Sequence, residues 1–345
     1  MWNRFTINGI AVLAALLVTS AVLYLKRDSI IDYAIRDRLT SASDNAFPND
    51  PNGIRVLLCG TGAPELSTAA QACTLVSAGG RMFVFDVGEG ATTSLAGVGV
   101  PIADIEQVFI THYHSDHFNG LGTLINQSWN WGRTEPLRIT GPVGTIDVVG
   151  ALASAYALDN RYRMENMSDL TDAGNAARAV PTDIVFPPAA RSVRVYARDG
   201  VTIDAHLVAH DPVDPAVGYV VRYQGKKVFI SGDTAVSPQN LPAMRGADLA
   251  VHEAYAAHLV RRAIPTMREL GMDHDAQVAE RTISYHADTV ALAKQAHEAG
   301  VKQLALTHLI PYPDGALQRF LFTRGMSDYF GGDIIVGADG MQLAV

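Results

Sequence analysis

The 345-residue chain is 48% hydrophobic and 18% charged, which excludes intrinsic disorder and fits one large domain or two smaller ones. Its 27 basic and 35 acidic side chains give a formal net charge of −8, and no basic run exceeds two residues, which argues against a broad cationic surface for nucleic acid. The two cysteines, Cys59 and Cys73, are too few for a disulfide-rich scaffold or a cysteine-rich metal site.

The N-terminus carries an uncharged apolar stretch from Phe5 to Leu25, between Arg4 and Lys26. At 1.5 Å per residue, a helix of this length spans a hydrocarbon core of ~30 Å. We therefore predict that residues 1–27 are a transmembrane anchor, with a cleavable export signal as the alternative. The basic residues that follow the segment favour a cytoplasmic position for the domain after it, by the positive-inside rule. An N-terminal signal anchor instead favours export of that domain. We prefer the periplasmic side. Residues 28–53 are predicted to be a linker containing a short amphipathic piece.

From residue 54 to 345, short apolar runs alternate with helical patterns. Strands are predicted at 55–59, 107–111 and 137–140 in the first half, and helices at 118–131 and 144–158. Residues 160–190 are polar and weakly periodic, which predicts an inserted loop region. The second half repeats the plan, with strands at 193–197, 202–209, 217–223, 227–231, 249–253 and 303–307 and helices at 276–285 and 289–299. Two β-rich halves that each end in helices predict an α/β fold of the αββα sandwich type.

Four candidate metal ligands directly follow the strand predicted at 107–111: His112, His114, Asp116 and His117. In extended backbone, side chains two apart point the same way, so His112 and His114 can bind one ion, and the next two can bind a neighbouring ion once the chain turns. Imidazole and carboxylate suit zinc, and less often manganese or iron. Three more candidates follow predicted strands, namely His210, Asp233 and His308. Taken singly, such a histidine is more often a satisfied core or surface residue.

The His-x-His-x-Asp-His pattern resembles the signature of the metallo-β-lactamase superfamily, and the Gly-Thr-Gly at 60–62 and the segment from Asp86 to Gly90 also match in order. The resemblance extends from residue 55 to the C-terminus and implies an αββα metallo-β-lactamase sandwich with two metal ions. It assigns His112, His114 and His210 to the first metal, Asp116, His117 and His308 to the second, and Asp233 to a bridge. Asp86 would orient a histidine ligand, against the alternative of a turn-capping aspartate.

Two further segments are similar to the ribonuclease Z and arylsulfatase-like branch: Val251 to Ala254, which contains His252 and Glu253, and the region of His286. The sequence departs from that branch at Tyr255, where threonine is usual, and after His286. The resemblance implies that Glu253 orients His286 as the proton donor to the leaving group, with Asp116 and His252 also in the catalytic set. The alternative for His286 is an exposed histidine at a helix end.

The implied chemistry is hydrolysis, because two adjacent cations activate water and stabilise charge on an ester oxygen. A tRNA-processing member would carry a basic Gly/Pro-rich arm, and residues 141–200 contain none. We therefore predict a dinuclear zinc hydrolase of a small anionic sulfate or phosphate ester, arylsulfatase-like, for which several aromatic residues are candidates to line an aryl pocket. These are Trp129, Trp131, Tyr156, Tyr162 and Tyr312. The alternatives are a ribonuclease Z-type tRNA 3′-processing endonuclease, which makes nucleic acid the less expected partner, and a redox or binding module without hydrolysis. A homodimer is left open.

Overall fold

The computed structural model describes residues 16–17, 19–44, 47, 50–64, 67–167 and 175–345. The chain divides into two compact units, residues 1–47 and residues 48–345. In the first unit, helix α1 (Arg27–Asp44) occupies most of the predicted linker and is longer than the short amphipathic piece expected there. Among the described residues, no helix combines the length and apolar character needed to cross a bilayer. Most of the anchor predicted at residues 1–27, namely residues 1–15 and 18, lies outside the described residues.

The second unit contains two seven-stranded mixed sheets. In the first sheet the order is β14, β1, β2, β3, β4, β5 and β6, with bounds Met341–Ala344, Ile54–Gly60, Cys73–Ala78, Arg81–Phe85, Ile105–Phe109, Leu137–Pro142 and Ala179–Ile184. In the second the order is β13, β12, β11, β10, β9, β8 and β7, with bounds Asp333–Val336, Gln303–Ile310, Leu249–Tyr255, Lys226–Ile230, Val213–Tyr223, Val201–His210 and Ser192–Arg198. Each sheet has antiparallel and parallel pairs, so the α/β, two-sheet part of the prediction is confirmed.

The main core lies between the two sheets. Phe85 and Phe109 of the first sheet pack against Tyr219 of the second, with ring centroids 5.3 Å apart in each pair. A second cluster covers the other face of β11 and β12 with helix side chains such as Leu292 and Phe322. Nearly every residue of β2 and β11 is buried, as expected for inner strands covered on both sides. The edge strands β6 and β7 instead alternate between more and less exposed residues.

Along the chain, the helices of this unit alternate with its strands. They are α2 (Ala91–Gly97), α3 (Ser115–Phe118), α4 (Leu121–Asn130), α5 (Thr145–Met167), α6 (Leu241–Met244), α7 (Ala257–Glu269), α8 (Asp273–Thr282), α9 (Thr289–Ala299) and α10 (Ala316–Phe322). Helix α5 and strand β6 occupy much of the region predicted to be a loop at 160–190. Helix α7 was not predicted, and it contains Pro265, a residue that normally interrupts a helix.

A disulfide joins Cys59 of β1 to Cys73 of β2, and both residues are buried. The two strands are antiparallel neighbours, and their register shifts between Leu58 and Gly60, beside the cross-linked residue. The bond therefore joins the end of β1, just before the Gly-Thr-Gly segment, to the start of β2.

Candidate metal centre

The predicted ligands meet where strands of both sheets end. Four of them lie in the segment after β4, His210 is the last residue of β8, Asp233 follows β10, and His308 lies in β12. All seven are buried except His114, which is exposed. Because the two sheets pack face to face, strand ends far apart in sequence deliver their side chains to one place.

The first group of ligand atoms consists of His112, His114, His210 and Asp233. The Nδ1 atom of His114 lies 3.0 Å from His112 Nε2 and 3.2 Å from His210 Nε2. Asp233 Oδ2 lies 3.8 Å from each of those two Nε2 atoms. Three imidazole nitrogens and a carboxylate oxygen around one point form a donor set that suits a zinc-like cation.

The second group consists of Asp116, His117 and His308. Asp116 Oδ2 lies 3.0 Å from His308 Nε2 and 3.5 Å from His117 Nε2. Asp233 Oδ2 lies 3.3 Å from His117 Nε2 and 3.4 Å from His308 Nε2, so this carboxylate lies between the two groups. His117 Nε2 and Asp233 Oδ1 are buried and make no hydrogen bond to any described residue. A cation in each group would satisfy such atoms, so the residues fit the metals that the sequence implies.

Asp86 holds His117 in place from behind. Its Oδ2 lies 2.8 Å from His117 Nδ1, and its two oxygens accept hydrogen bonds from the backbone N–H and the hydroxyl of Thr111. With Nδ1 engaged, His117 presents Nε2 to the second group. Burial lowers the pKa of His117, but the charges of Asp233 and Asp86 outweigh burial and raise it well above its usual value. The converse holds for Asp233, since burial raises its pKa but His117 and His308 bring it well below the usual range.

Asp339 is a positioning residue that the sequence did not reveal. Its Oδ1 accepts hydrogen bonds from the backbone N–H of Thr61 at 2.9 Å and from the Thr61 hydroxyl at 2.8 Å, and its Oδ2 accepts one from the Ala70 N–H at 2.6 Å. The carbonyl of Thr61 accepts the N–H of Leu309 at 2.9 Å. Leu309 follows His308, whose φ of 45° lies in the left-handed region and whose position interrupts the pairing of β11 with β12. Asp339 thus supports the bulge that turns His308 toward the second ligand group.

Glu253 and His286 form a buried pair beside the second group. His286 Nδ1 lies 3.0 Å from Glu253 Oε1, which also accepts the backbone N–H of Thr234 at 2.8 Å. Burial lowers the pKa of His286, but the charge and hydrogen bond of Glu253 raise it to about 9. The ring stacks on Tyr255 at 5.7 Å and on His308 at 5.6 Å, and the residue is only 8% exposed. The alternative of an exposed helix-end histidine does not describe His286, and Tyr255 supplies a flat support for its ring.

His252 is placed differently from the prediction. Neighbouring residues of a strand point to opposite faces, so Glu253 faces the metal groups and His252 faces the second core cluster. Its ring packs 6.1 Å from Phe229, and its Nδ1 bonds to the Glu253 carbonyl. Among the described residues His252 belongs to none of the ligand groups, and burial lowers its pKa. We correct its assignment from a catalytic residue to a core residue.

A cavity of about 710 Å³ opens above the ligand groups, between them and helices α7 and α8. His114, Asp116, Asp233, His286 and His308 are on its lining. The five aromatic residues predicted to form an aryl pocket are not among its lining residues: Trp129 is buried elsewhere in the core and Trp131 is 75% exposed. The space beside the metal centre is therefore bounded by α8, which overlaps the helix predicted at 276–285, and by α7, which the sequence did not indicate.

Comparisons with known proteins place this chain in a family. The family model for the anti-Pycsar protein Apyc1 matches residues 54–308. Ribonuclease Z of Mycobacterium bovis (strain BCG / Pasteur 1173P2) is 33% identical over 290 residues, which are 83% of this chain and 96% of that protein.

Among solved structures, human tRNase Z, short form, aligns with a TM-score of 0.60 and 21% identity over 84% of this chain and 98% of its own. The metallo-β-lactamase fold protein YhfI from Bacillus subtilis aligns with a TM-score of 0.58 and 20% identity over 85% of this chain and 100% of its own. At these identities the structures show a shared fold. The chain belongs to the Apyc1 family and to the ribonuclease Z branch of the metallo-β-lactamase superfamily, and it is a metal-dependent hydrolase acting on ester bonds.

Proposed function

We propose that this chain is a dinuclear phosphodiesterase that holds two zinc ions, with manganese or iron as substitutes, in the two ligand groups. The observation that carries the proposal is the position of Asp233, whose one carboxylate oxygen lies within 3.8 Å of ring nitrogens from both groups. When bound, such cations lower the pKa of water from 15.7 toward ~7 and neutralise charge on an ester oxygen. A histidine-rich donor set suits this hydrolytic chemistry better than the redox or binding module considered from the sequence.

The ribonuclease Z relatives support a phosphate ester over a sulfate ester. The name of these relatives refers to RNA, and this chain belongs to the same branch. The sequence alone favoured an arylsulfatase-like substrate over RNA, and we now reverse that order. We propose the phosphodiester bond of RNA as the first candidate substrate.

The chain's own residues then act as positioning groups and proton donors. Asp116 lies on the cavity lining, where its carboxylate can orient the attacking water by accepting a hydrogen bond. His286 also lies there, and because Glu253 engages its Nδ1, its Nε2 is left to donate a proton to the leaving oxygen. That proton is needed most when the leaving group is a poor one, such as a ribose hydroxyl.

A small phosphodiester is the second candidate, for two specific reasons. Residues 145–167 form helix α5 and residues 179–184 form strand β6, so the described part of the region where a tRNA-gripping arm was sought is occupied by regular structure. Among the described residues that line the cavity, none is lysine or arginine. A long polyanion would therefore have to find its cationic contacts elsewhere on the surface.

We also propose that the enzyme lies in an oxidising compartment. The Cys59–Cys73 disulfide supports an oxidising environment, in line with the periplasmic side preferred from the sequence. Membrane attachment through residues 1–27 would be consistent with that location. Fractionation of cells expressing the full chain, followed by thiol labelling of the two cysteines, tests both parts.

The decisive experiment measures metal content and substrate preference together. We expect about two zinc equivalents per chain and hydrolysis of bis(4-nitrophenyl) phosphate and of a precursor tRNA in preference to 4-nitrophenyl sulfate. Asp233→Ala and His114→Ala should lower metal content and reduce turnover by roughly 1000-fold or more while the fold is kept. Asp204→Asn, on the outer face of the second sheet, is the matched control. Purified protein without metal that hydrolyses these esters, or a clear preference for the sulfate, contradicts the proposal.

A further inference from the structure

The hydroxyl of Thr234 joins two segments that carry members of the ligand groups. Thr234 follows Asp233 in the loop after β10, and its side chain is fully buried. Its Oγ1 accepts a hydrogen bond from the backbone N–H of Ala209 at 3.1 Å, and Ala209 directly precedes His210 in β8. The carbonyl of Ala209 in turn accepts the N–H of Ala235 at 2.7 Å. The residue before one ligand is therefore bonded to the two residues that follow another.

These bonds lie where the pairing of the second sheet is irregular. The register of β8 with β9 shifts between Val208 and His210, so that Ala209 lies opposite two residues of β9. One of the two is Pro215, which has no N–H to donate. Where a strand ladder is interrupted, backbone groups need other partners, and the loop after β10 supplies one to the N–H and one to the carbonyl of Ala209. The position of His210 at the end of β8 thus depends on this loop.

Every hydrogen-bonding group of the Thr234 hydroxyl is used. A hydroxyl has one proton and two lone pairs. The lone pairs accept the N–H of Ala209 and the Nδ2 group of Asn240, the latter at 3.2 Å, and the proton can be donated to the carbonyl of Ala235 at 2.9 Å. Asn240 is also fully buried, and its Nδ2 lies 3.2 Å from the same carbonyl. The hydroxyl, and not the methyl group of the threonine, is therefore what connects the segments.

The backbone of Thr234 extends the connection to the buried pair of Glu253 and His286. Its N–H donates to Glu253 Oε1 at 2.8 Å, and the same oxygen lies 3.0 Å from His286 Nδ1. Asp233, the preceding residue, contributes the oxygen that lies between the two ligand groups. One residue therefore links the end of β8, the shared carboxylate and the side chain of Glu253.

We propose that Thr234 is a positioning residue, whose hydroxyl fixes His210 relative to Asp233 and so holds the first ligand group in a geometry that binds zinc. The inference rests on the proposed function in one respect, the presence of zinc in that group. A buried hydroxyl that served only the fold would affect zinc no more than any other. Thr140 offers this comparison, because its buried hydroxyl accepts a hydrogen bond from Gln107 Nε2 at 2.8 Å and, among the described residues, it belongs to neither ligand group.

The test measures the zinc affinity of the full chain by competition with a chelating dye. Thr234→Val keeps the shape of the side chain but leaves the N–H of Ala209 without its partner, so we expect at least one zinc ion to bind about tenfold more weakly. Thr234→Ser and Thr140→Val should both stay within about threefold of the native affinity. At saturating zinc, kcat for bis(4-nitrophenyl) phosphate should follow the same order, with KM within about twofold. Native affinity in Thr234→Val, or an equal loss in either of the other two variants, overturns the inference.

Asn240→Leu is a second variant that leaves the ligand loop itself unchanged. It removes the amide that donates to the Thr234 hydroxyl and has a similar size. Even where Thr234→Val fails to fold, Asn240→Leu should weaken zinc binding by about threefold or more, since the hydroxyl loses one of its partners. Native zinc affinity in this variant counts against the inference.

Hydrogen exchange of the metal-free chain separates the inference from the proposed function. Peptides that contain Ala209 should exchange about tenfold faster in Thr234→Val than in the native chain or in Thr234→Ser, and unchanged exchange overturns the inference. Native protein that binds no zinc defeats the proposed function and leaves the exchange rates to decide the inference. Zinc binding that depends on Thr234, without hydrolysis of bis(4-nitrophenyl) phosphate, supports the inference and defeats the proposed function.

Discussion

Replacing Glu253 with glutamine tests the proton donor assigned to His286. Glu253→Gln keeps the size of the side chain but removes the negative charge 3.0 Å from His286 Nδ1. In the native chain the charge and hydrogen bond of Glu253 outweigh burial and raise the pKa of His286 to about 9. Without that charge, burial lowers the pKa of His286 and the charge of Asp233 is what still raises it, so the pKa falls from about 9 toward its ordinary value of 6.5. At pH 7.5 a pKa of about 9 leaves roughly 97% of the imidazole protonated, against roughly 9% at the ordinary value of 6.5.

Turnover that depends on this proton should therefore fall by up to about tenfold at pH 7.5. The assay compares two phosphodiesters, one with an alkyl leaving group that needs protonation and one with a 4-nitrophenyl leaving group that does not. We expect kcat to fall only for the first, and the native activity toward it to decline as pH rises through the pKa of His286. Glu135→Gln, on an exposed loop, is the control. An equal loss on both substrates would show that Glu253 supports the fold of the site and that His286 is not the donor.

Three further changes have expected outcomes of their own. Reducing the Cys59–Cys73 disulfide, whose partners are 14 residues apart, should lower the free energy of unfolding in urea by about 3 kcal/mol, and an unchanged urea midpoint contradicts this. Asp339→Ala removes three hydrogen bonds and should cost about 2 kcal/mol of stability and weaken zinc retention, with Asp339→Asn intermediate in both; normal zinc content in Asp339→Ala refutes the positioning role. Burial lowers the pKa of His206 to about 4. As pH falls from about 6.5 to 4, the unfolded chain therefore binds a proton that the folded chain does not, and the free energy of unfolding declines in that window. In urea titrations across this window, His206→Gln should lose about 1 kcal/mol less of its free energy of unfolding than the native chain, a figure reduced for the partial exposure of the ring. Parallel pH profiles of the two proteins contradict this.

The ligand residues could be predicted because each lies near the end of a short run of residues with a strand pattern. Such runs are local features: residues 304–306 are apolar, and His308 follows two positions later. The pairing of the two groups also follows from local geometry, because the segment after β4 carries members of both. His252 was misassigned because a resemblance to a motif names residues without saying which face of the strand each one occupies.

Other features depend on contacts between distant parts of the chain. Asp339 reaches Thr61 because β14 pairs with β1, and a four-residue C-terminal strand gives little pattern from which to predict that pairing. The disulfide likewise follows from the pairing of β1 with β2, which brings the two Cα atoms to 5.0 Å. Strand β6 lies in the region predicted to be a loop because residues 160–190 are polar and weakly periodic. It contains Pro181, and proline is tolerated there because β6 is an edge strand.

The same division explains why the reaction was easier to predict than the substrate. The ligands proposed to activate water follow strands with a clear apolar pattern, whereas the apolar wall of the cavity is formed by α7 and α8. Helix α7 contains Pro265 and has no side-chain N-cap, so its sequence is a poor helix signal, and the helix persists because Val260 and Ile264 are buried against Tyr255 and Ile310. The aromatic residues that were candidates to line an aryl pocket are outside the lining of this cavity. Since the metal ligands and the helical wall of the cavity belong to different elements, changes in α7 and α8 should alter which ester is bound while the metal centre keeps its reaction.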